Sequence, residues 1–166
     1  MATESTVVSI AQEGKYLSFV LGGQEYGLEI LKVQEINAMM EITRVPRTPD
    51  YVRGVVNLRG RVIPVISLRK KFQMAQVEDT EKTCIIVVQV QCQEESMTMG
   101  VVVDEVSEVL TIGQESIEPS PSFGGGMEGT DYITGLGKMT DKMVILLDID
   151  RVLDAEDMEI MVEATK

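Results

Sequence analysis

A chain of 166 residues fits one ordinary domain or two very small ones packed together. Hydrophobic residues make up 44% and aromatics only 4%, with no Trp, so Val, Ile, Leu and 11 Met must fill a real core, which excludes disorder and favours strands. The formal net charge of -12 opposes non-specific binding to nucleic acid or to an anionic membrane surface, since both need a positive field.

The start, Met1 to Glu13, is polar and acid-containing, lacks the basic and apolar regions of a signal peptide, and is expected to be disordered through residue 14. No apolar run approaches the roughly 18 to 20 residues that span a bilayer. Lys15–Leu21 and Gln24–Leu28 flank Gly22-Gly23, a hairpin signal. Ile30–Ile36 fits a helical turn or a bent strand. Pro46 and Pro49 keep Arg44–Asp50 extended or turning. Val55–Leu58 and Val62–Ile66 form a second hairpin across Arg59-Gly60, in which Pro64, lacking an amide donor, predicts an edge strand or a bulge. After a polar break at Gln76–Lys82 comes a third hairpin, Thr83–Gln91 with Met97–Val103, around Glu94-Glu95. Val106–Ile112 is a further strand, and Glu118–Asp131, rich in Gly and Pro, reads as a loop. Ile133–Met139 and Met143–Leu147 make a fourth hairpin across Thr140-Asp141. Helical spacing follows from Ile149, with residues 154–166 as a helical tail.

Four hairpins invite a self-comparison. Gly54–Phe72 aligns without a gap on Gly135–Leu153, at an offset of 81 residues. Gly27–Ile36 aligns on Gly100–Val109 at an offset of 73, with Gly27/Gly100, Val33/Val106 and Glu35/Glu108 coinciding. The pattern predicts a mainly β fold with short helices. It comprises one domain over 15–153 with approximate halves 15–72 and 83–153, forming two small, roughly five-stranded barrels. Halves this small are marginal alone, so they are expected to share an apolar interface.

Catalytic chemistry is poorly represented. The chain has no His, which removes the commonest general base and most zinc sites. Cys84 and Cys92 lie eight apart, too far to bridge on one strand, and read as buried reduced thiols of a cytoplasmic protein. Gly124-Gly125-Gly126 lacks the Lys-Ser/Thr of a phosphate loop. Asp148 and Asp150, at a strand end entering a helix, suit an N-cap better than a metal. No cofactor, metal or catalytic residue is assigned. The charge pattern says more: eight of the 15 basic residues (Arg44, Arg47, Arg53, Arg59, Arg61, Arg69, Lys70, Lys71) lie within 44–71, beside the single acid Asp50. Such a segment can steer an acidic partner. Arg59 in particular projects from a hairpin tip, where its donors can clamp a carboxylate.

The segment V-R-G-V-V-N-L-R-G-R-V-I-P-V-I-S-L-R (Val52–Arg69) resembles the CheW family of bacterial chemotaxis coupling proteins. So do E-Y-G-L-E-I-L-K-V-Q-E-I (Glu25–Ile36), G-V-V-V-D-E-V-S-E-V-L (Gly100–Leu110) and Y-I-T-G-L-G (Tyr132–Gly137), in the family's order. Ser67 departs from the family's usual Asp but caps a helix equally well. The resemblance implies two five-stranded barrels and a non-catalytic cytoplasmic adaptor. One surface would bind the regulatory domain of the kinase CheA. Another would bind the cytoplasmic tip of methyl-accepting chemoreceptors, with CheW–CheW contacts in arrays and no membrane insertion. It carries partner contacts onto Val33, Glu35, Gly54, Asn57, Arg59, Gly60, Gly100, Val109 and Gly135. The four glycines also suit tight backbone geometry, Val33 and Val109 also suit a core, and Glu35 and Arg59 could pair with each other. The alternatives are the same scaffold in a pili or development array, or a small-ligand-binding barrel.

Overall fold

The computed structural model describes residues 13–75, 77–92, 95–119, 132–152, 157 and 159–161. β1 (Gly14–Leu21) and β2 (Gln24–Glu29) form the first hairpin. Ile30–Ile36 turns out to be both of its alternatives: one 3-10 turn over Ile30–Lys32 leads into β3 (Val33–Ala38). β4 (Val52–Leu58) and β5 (Arg61–Ser67) form the second hairpin, followed by one helical turn, α1 (Leu68–Lys71). β6 (Cys84–Cys92) pairs with β7 (Glu95–Val103), and β8 (Glu105–Ile112) follows. After a short β9 (Ile117–Glu118) come β10 (Ile133–Lys138), β11 (Met143–Leu147) and α2 (Ile149–Val152). Asp157 and Glu159–Met161 are again helical. The first residues of the expected disordered start, most of the Gly-rich loop (120–131) and the rest of the tail lie outside the described residues.

The strands form two sheets, β8-β1-β2-β11-β10-β9 and β3-β6-β7-β5-β4. The sequence repeat is not the unit of these sheets. β3 leaves the first hairpin and pairs with β6, while β8 leaves the third hairpin and pairs with β1. Two parallel seams, β2 with β11 and β5 with β7, complete the mixing. Each sheet therefore draws strands from both halves of the chain.

Burial follows the same plan. Tyr16, Leu110, Ile112, Val144 and Leu146 fill the first barrel. Val56, Ile63, Val65, Ile85, Val87 and Val102 fill the second. Between them lies the largest core, where Leu17, Phe19, Leu21 and Leu28 of one sheet meet Ile86, Val88, Met99, Val101 and Val103 of the other. β6 shows why Ile85–Val88 is a continuous apolar run: Ile85 and Val87 face the barrel interior, Ile86 and Val88 the shared core. Each such side chain contributes about 1.5–3 kcal/mol on burial, so a strand buried on both faces anchors two cores at once. Phe19, Tyr26, Phe72 and Tyr132 lie in series with centroids 5.8, 5.9 and 4.7 Å apart, the outer two pairs stacked and the middle pair tilted.

Two helix starts match their sequence signals. The Ser67 hydroxyl accepts from the Lys70 amide (3.2 Å), and the Asp148 carboxylate from the Asp150 amide (3.0 Å). Two expectations change. β5 is an interior strand, not an edge. Pro64 fits because Val55 opposite directs its own amide and carbonyl to Thr43, leaving Pro64 at a non-hydrogen-bonded position, and the parallel ladder to β7 starts only at Val65. Cys84 is a free thiol but half-buried, donating to the Lys82 carbonyl (3.2 Å).

Candidate docking surfaces

Asn57, Arg59, Gly60 and Glu35 come together at the β4–β5 hairpin tip. Arg59 and Gly60 both have positive φ (53° and 86°), the turn whose twist suits a two-residue hairpin. Asn57 holds it by accepting from the Gly60 amide at 2.9 Å. The Arg59 side chain, 69% exposed, reaches back to Glu35 on β3 and donates to its carboxylate. That hydrogen bond, aided by a second from the Asn37 side-chain amide at 3.2 Å, holds the Glu35 carboxyl below its ordinary range. β3 and β4 are opposite ends of the second sheet, so this pair joins the edges and helps close the barrel. The first barrel repeats the device. Glu108 on β8 meets Lys142 of the β10–β11 hairpin at 3.5 Å, and Lys142 also grips Glu25 at 3.1 Å. The Glu25 contact raises the Lys142 ammonium.

The motif glycines lie elsewhere. Gly54 is buried at φ +140°, and a Cβ there would sit 2.1 Å from the Thr43 carbonyl oxygen. A Cβ on Gly100, also buried, would fall 2.7 Å from Ile85 Cγ2 inside the second barrel. Gly135 is buried at a register shift of β10 that matches the one at Gly54 in β4. At Gly54 and Gly100 the surrounding atoms leave no space for a side chain.

Val33 is half-buried against the shared core. Val109 is different: it is 51% exposed on edge strand β8. It lies opposite Leu17, which faces the shared core, so Val109 stands at the exposed edge of the first sheet beside that core. Sequence reading missed Ile36, 43% exposed at the corresponding place on β3 opposite Ile86. The offset of 73 that aligned Glu35 with Glu108 also aligns Ile36 with Val109, so the signal was present. It also missed Val62, 50% exposed across from Asn57.

The basic segment is largely matched within the molecule. Arg53 pairs with Asp79 (3.0 Å), Arg69 with Asp104 (2.6 Å), Lys70 with Asp50 (3.9 Å) and Lys71 with Asp157 (2.9 Å). Among the described residues no cluster of three or more His, Cys, Asp or Glu could hold a metal, and no helix is long and apolar enough to cross a membrane.

Two small barrels sharing a core, with Val109 and Ile36 exposed at their sheet edges and a clamped hairpin tip, make the chain a double-barrel scaffold. The CheW-like domain model matches residues 15–157. Chemotaxis protein CheW of Klebsiella aerogenes is 41% identical, over 100% of this chain and 99% of its own length. That of Helicobacter pylori is 35% identical, over 84% of this chain and 81% of its own. The crystal structure of the scaffolding protein TtCheW from Thermoanaerobacter tengcongensis superposes with a TM-score of 0.76 at 33% identity, covering 88% of this chain and 96% of the other. The chain belongs to the CheW family of chemotaxis adaptors.

Proposed function

We propose that the chain works in the cytoplasm as a non-catalytic coupler between methyl-accepting chemoreceptors and a CheA-type histidine kinase. The receptor tip, a helical hairpin, lays apolar side chains along the sheet edges at Val109 and Val33, a helix-in-groove contact. The regulatory domain of the kinase meets the barrel end at Arg59, Gly60 and Asn57, with Glu35 orienting the guanidinium. CheW–CheW contacts use the same barrel ends in arrays. The observation that carries this reading is the separation of two features on one body: an exposed apolar edge on β8 and an exposed ion pair at the β4–β5 tip.

The test is a pull-down with a receptor-tip fragment and a kinase regulatory domain. Arg59→Ala should weaken kinase capture, and Val109→Glu should weaken receptor capture. Both sites are exposed, so melting should shift by no more than the effect of about 0.5 kcal/mol expected of surface changes. Wild-type protein that captures neither fragment would overturn the coupling. Loss of capture accompanied by a core-sized drop in melting temperature would overturn the contact roles.

A further inference from the structure

We propose that Tyr51, Lys71 and the adjoining end of the shared core form a helix-docking surface. The chain's own C-terminal helical segment occupies it in cis, and a partner helix of the same pattern can displace that segment. The Asp157 carboxylate accepts from both the Tyr51 hydroxyl and Lys71 Nζ, the latter at 2.9 Å. Lys71 Nζ in turn lies 4.6 Å over the Tyr51 ring. Four residues on, Met161 is fully buried in the shared core, and Ile160 packs against the same cluster. An acid and a long apolar side chain at i and i+4 fall on one helix face, so the segment holds by one ionic and one apolar anchor.

The surface does not depend on the helix for its shape. The Tyr51 carbonyl accepts from the Ser67 amide at 2.7 Å, and Lys71 stands in α1, capped by that same Ser67. Both anchoring groups are therefore positioned by the barrel, and a preformed site saves the ordering cost of binding. Among the described residues, an open cleft of about 460 Å³ lined by Asp50, Tyr51, Lys70, Lys71, Gln73 and Met74 continues from the clamp. It leaves room for larger side chains beside the acid. The occupant that fits is an amphipathic helix with a carboxylate one turn ahead of a Met- or Leu-sized residue. The chain's own segment already shows that chemistry: residues 153–166 carry Asp154, Glu156, Asp157, Glu159 and Glu163 against Lys166. This surface is separate from the receptor and kinase sites above and does not rest on them.

The probe is a labelled synthetic peptide of residues 153–166, titrated by fluorescence anisotropy into full-length protein. The double variant Asp157→Ala/Met161→Asp, which releases the cis helix, should bind it about tenfold or more tightly than wild type, because the tethered competitor is gone. Adding Lys71→Glu should remove that binding, and a peptide carrying Asp157→Lys should restore it. Should the double variant lose its cooperative melt, Asp157→Ala alone carries the same comparison. A folded variant that ignores the peptide, or wild type that binds it equally well, would overturn the proposal.

Discussion

Asp104 shows how one carboxylate can hold several elements. It sits between β7 and β8 and receives a two-pronged contact from Arg69 on α1, at 2.8 and 2.6 Å. It also accepts from the Gly22 amide of the β1–β2 turn at 2.9 Å. The Arg69 hydrogen bonds lower its carboxyl below the ordinary value, outweighing partial burial, which pushes the other way. A carboxyl that binds its proton less readily folded than unfolded stabilises the fold fully above its unfolded value, about 3.9. That contribution disappears as pH falls through the folded value. Asp104→Asn should therefore cost about 1.5 kcal/mol near neutral pH, the low end of the range for hydrogen bonds to charged groups, because the Asp104 carboxylate is partly exposed. Melting would drop by about 3–6 °C. The gap between wild type and variant should shrink as pH falls from about 5 through the lowered folded value. A gap independent of pH would show that Arg69 gains nothing from the charge.

At the scale of elements, the sequence was legible where it carried a local signal. All four hairpins stand where alternating apolar residues flank turn residues, because period and turn chemistry are local. The caps at Ser67 and Asp148 were legible for the same reason. The exchange of β3 and β8 between sheets was not, since alternation specifies which face is buried and not which strand lies alongside. Pro64 misled for that reason too: whether a missing amide matters depends on the partner's register. The site divided likewise. Arg59 and Glu35 were identifiable as a pair, but a motif glycine looks the same in sequence whether it faces a partner or a neighbouring strand. Gly100 tests the distinction. Gly100→Ala places a methyl group 2.7 Å from Ile85 Cγ2 and 3.3 Å from Val65 Cγ2. Overpacking of a closed barrel should cost about 1–3 kcal/mol, visible in denaturant midpoint, while the folded fraction keeps its partner affinity. Lost affinity at an unchanged midpoint would make Gly100 a contact residue instead.

The whole molecule depends on two crossings. The chain passes from the first sheet to the second between β2 and β3, and returns between β7 and β8. Each crossing is clamped by a helix that follows a parallel-seam strand. At the return, Arg69 of α1 grips Asp104. At the outward crossing, Asp150 of α2 grips Lys32 at 2.6 Å. Position 150 is the repeat counterpart of position 69, so acid and base have traded places while the clamp survives. In both, the acid also accepts a backbone amide: that of Gly22 in the β1–β2 turn for Asp104, and that of Gln91 in β6, at 2.7 Å, for Asp150. The clamps tie chain segments that would otherwise be free to open at the exchange points, yet the shared core is what makes the barrels one unit. Its side chains come from both sheets, and neither sequence half can close a barrel without the other's strand. Among the described residues Asp104 and Asp150 share no partner, so the costs of Asp104→Asn and Asp150→Asn should add to within about 0.5 kcal/mol. The double variant should still melt in one calorimetric transition, at lower temperature, because the clamps set the strength of the union and the shared core sets its cooperativity. Two resolved transitions would show the opposite: that the clamps, and not the core, make the two barrels a single folding unit.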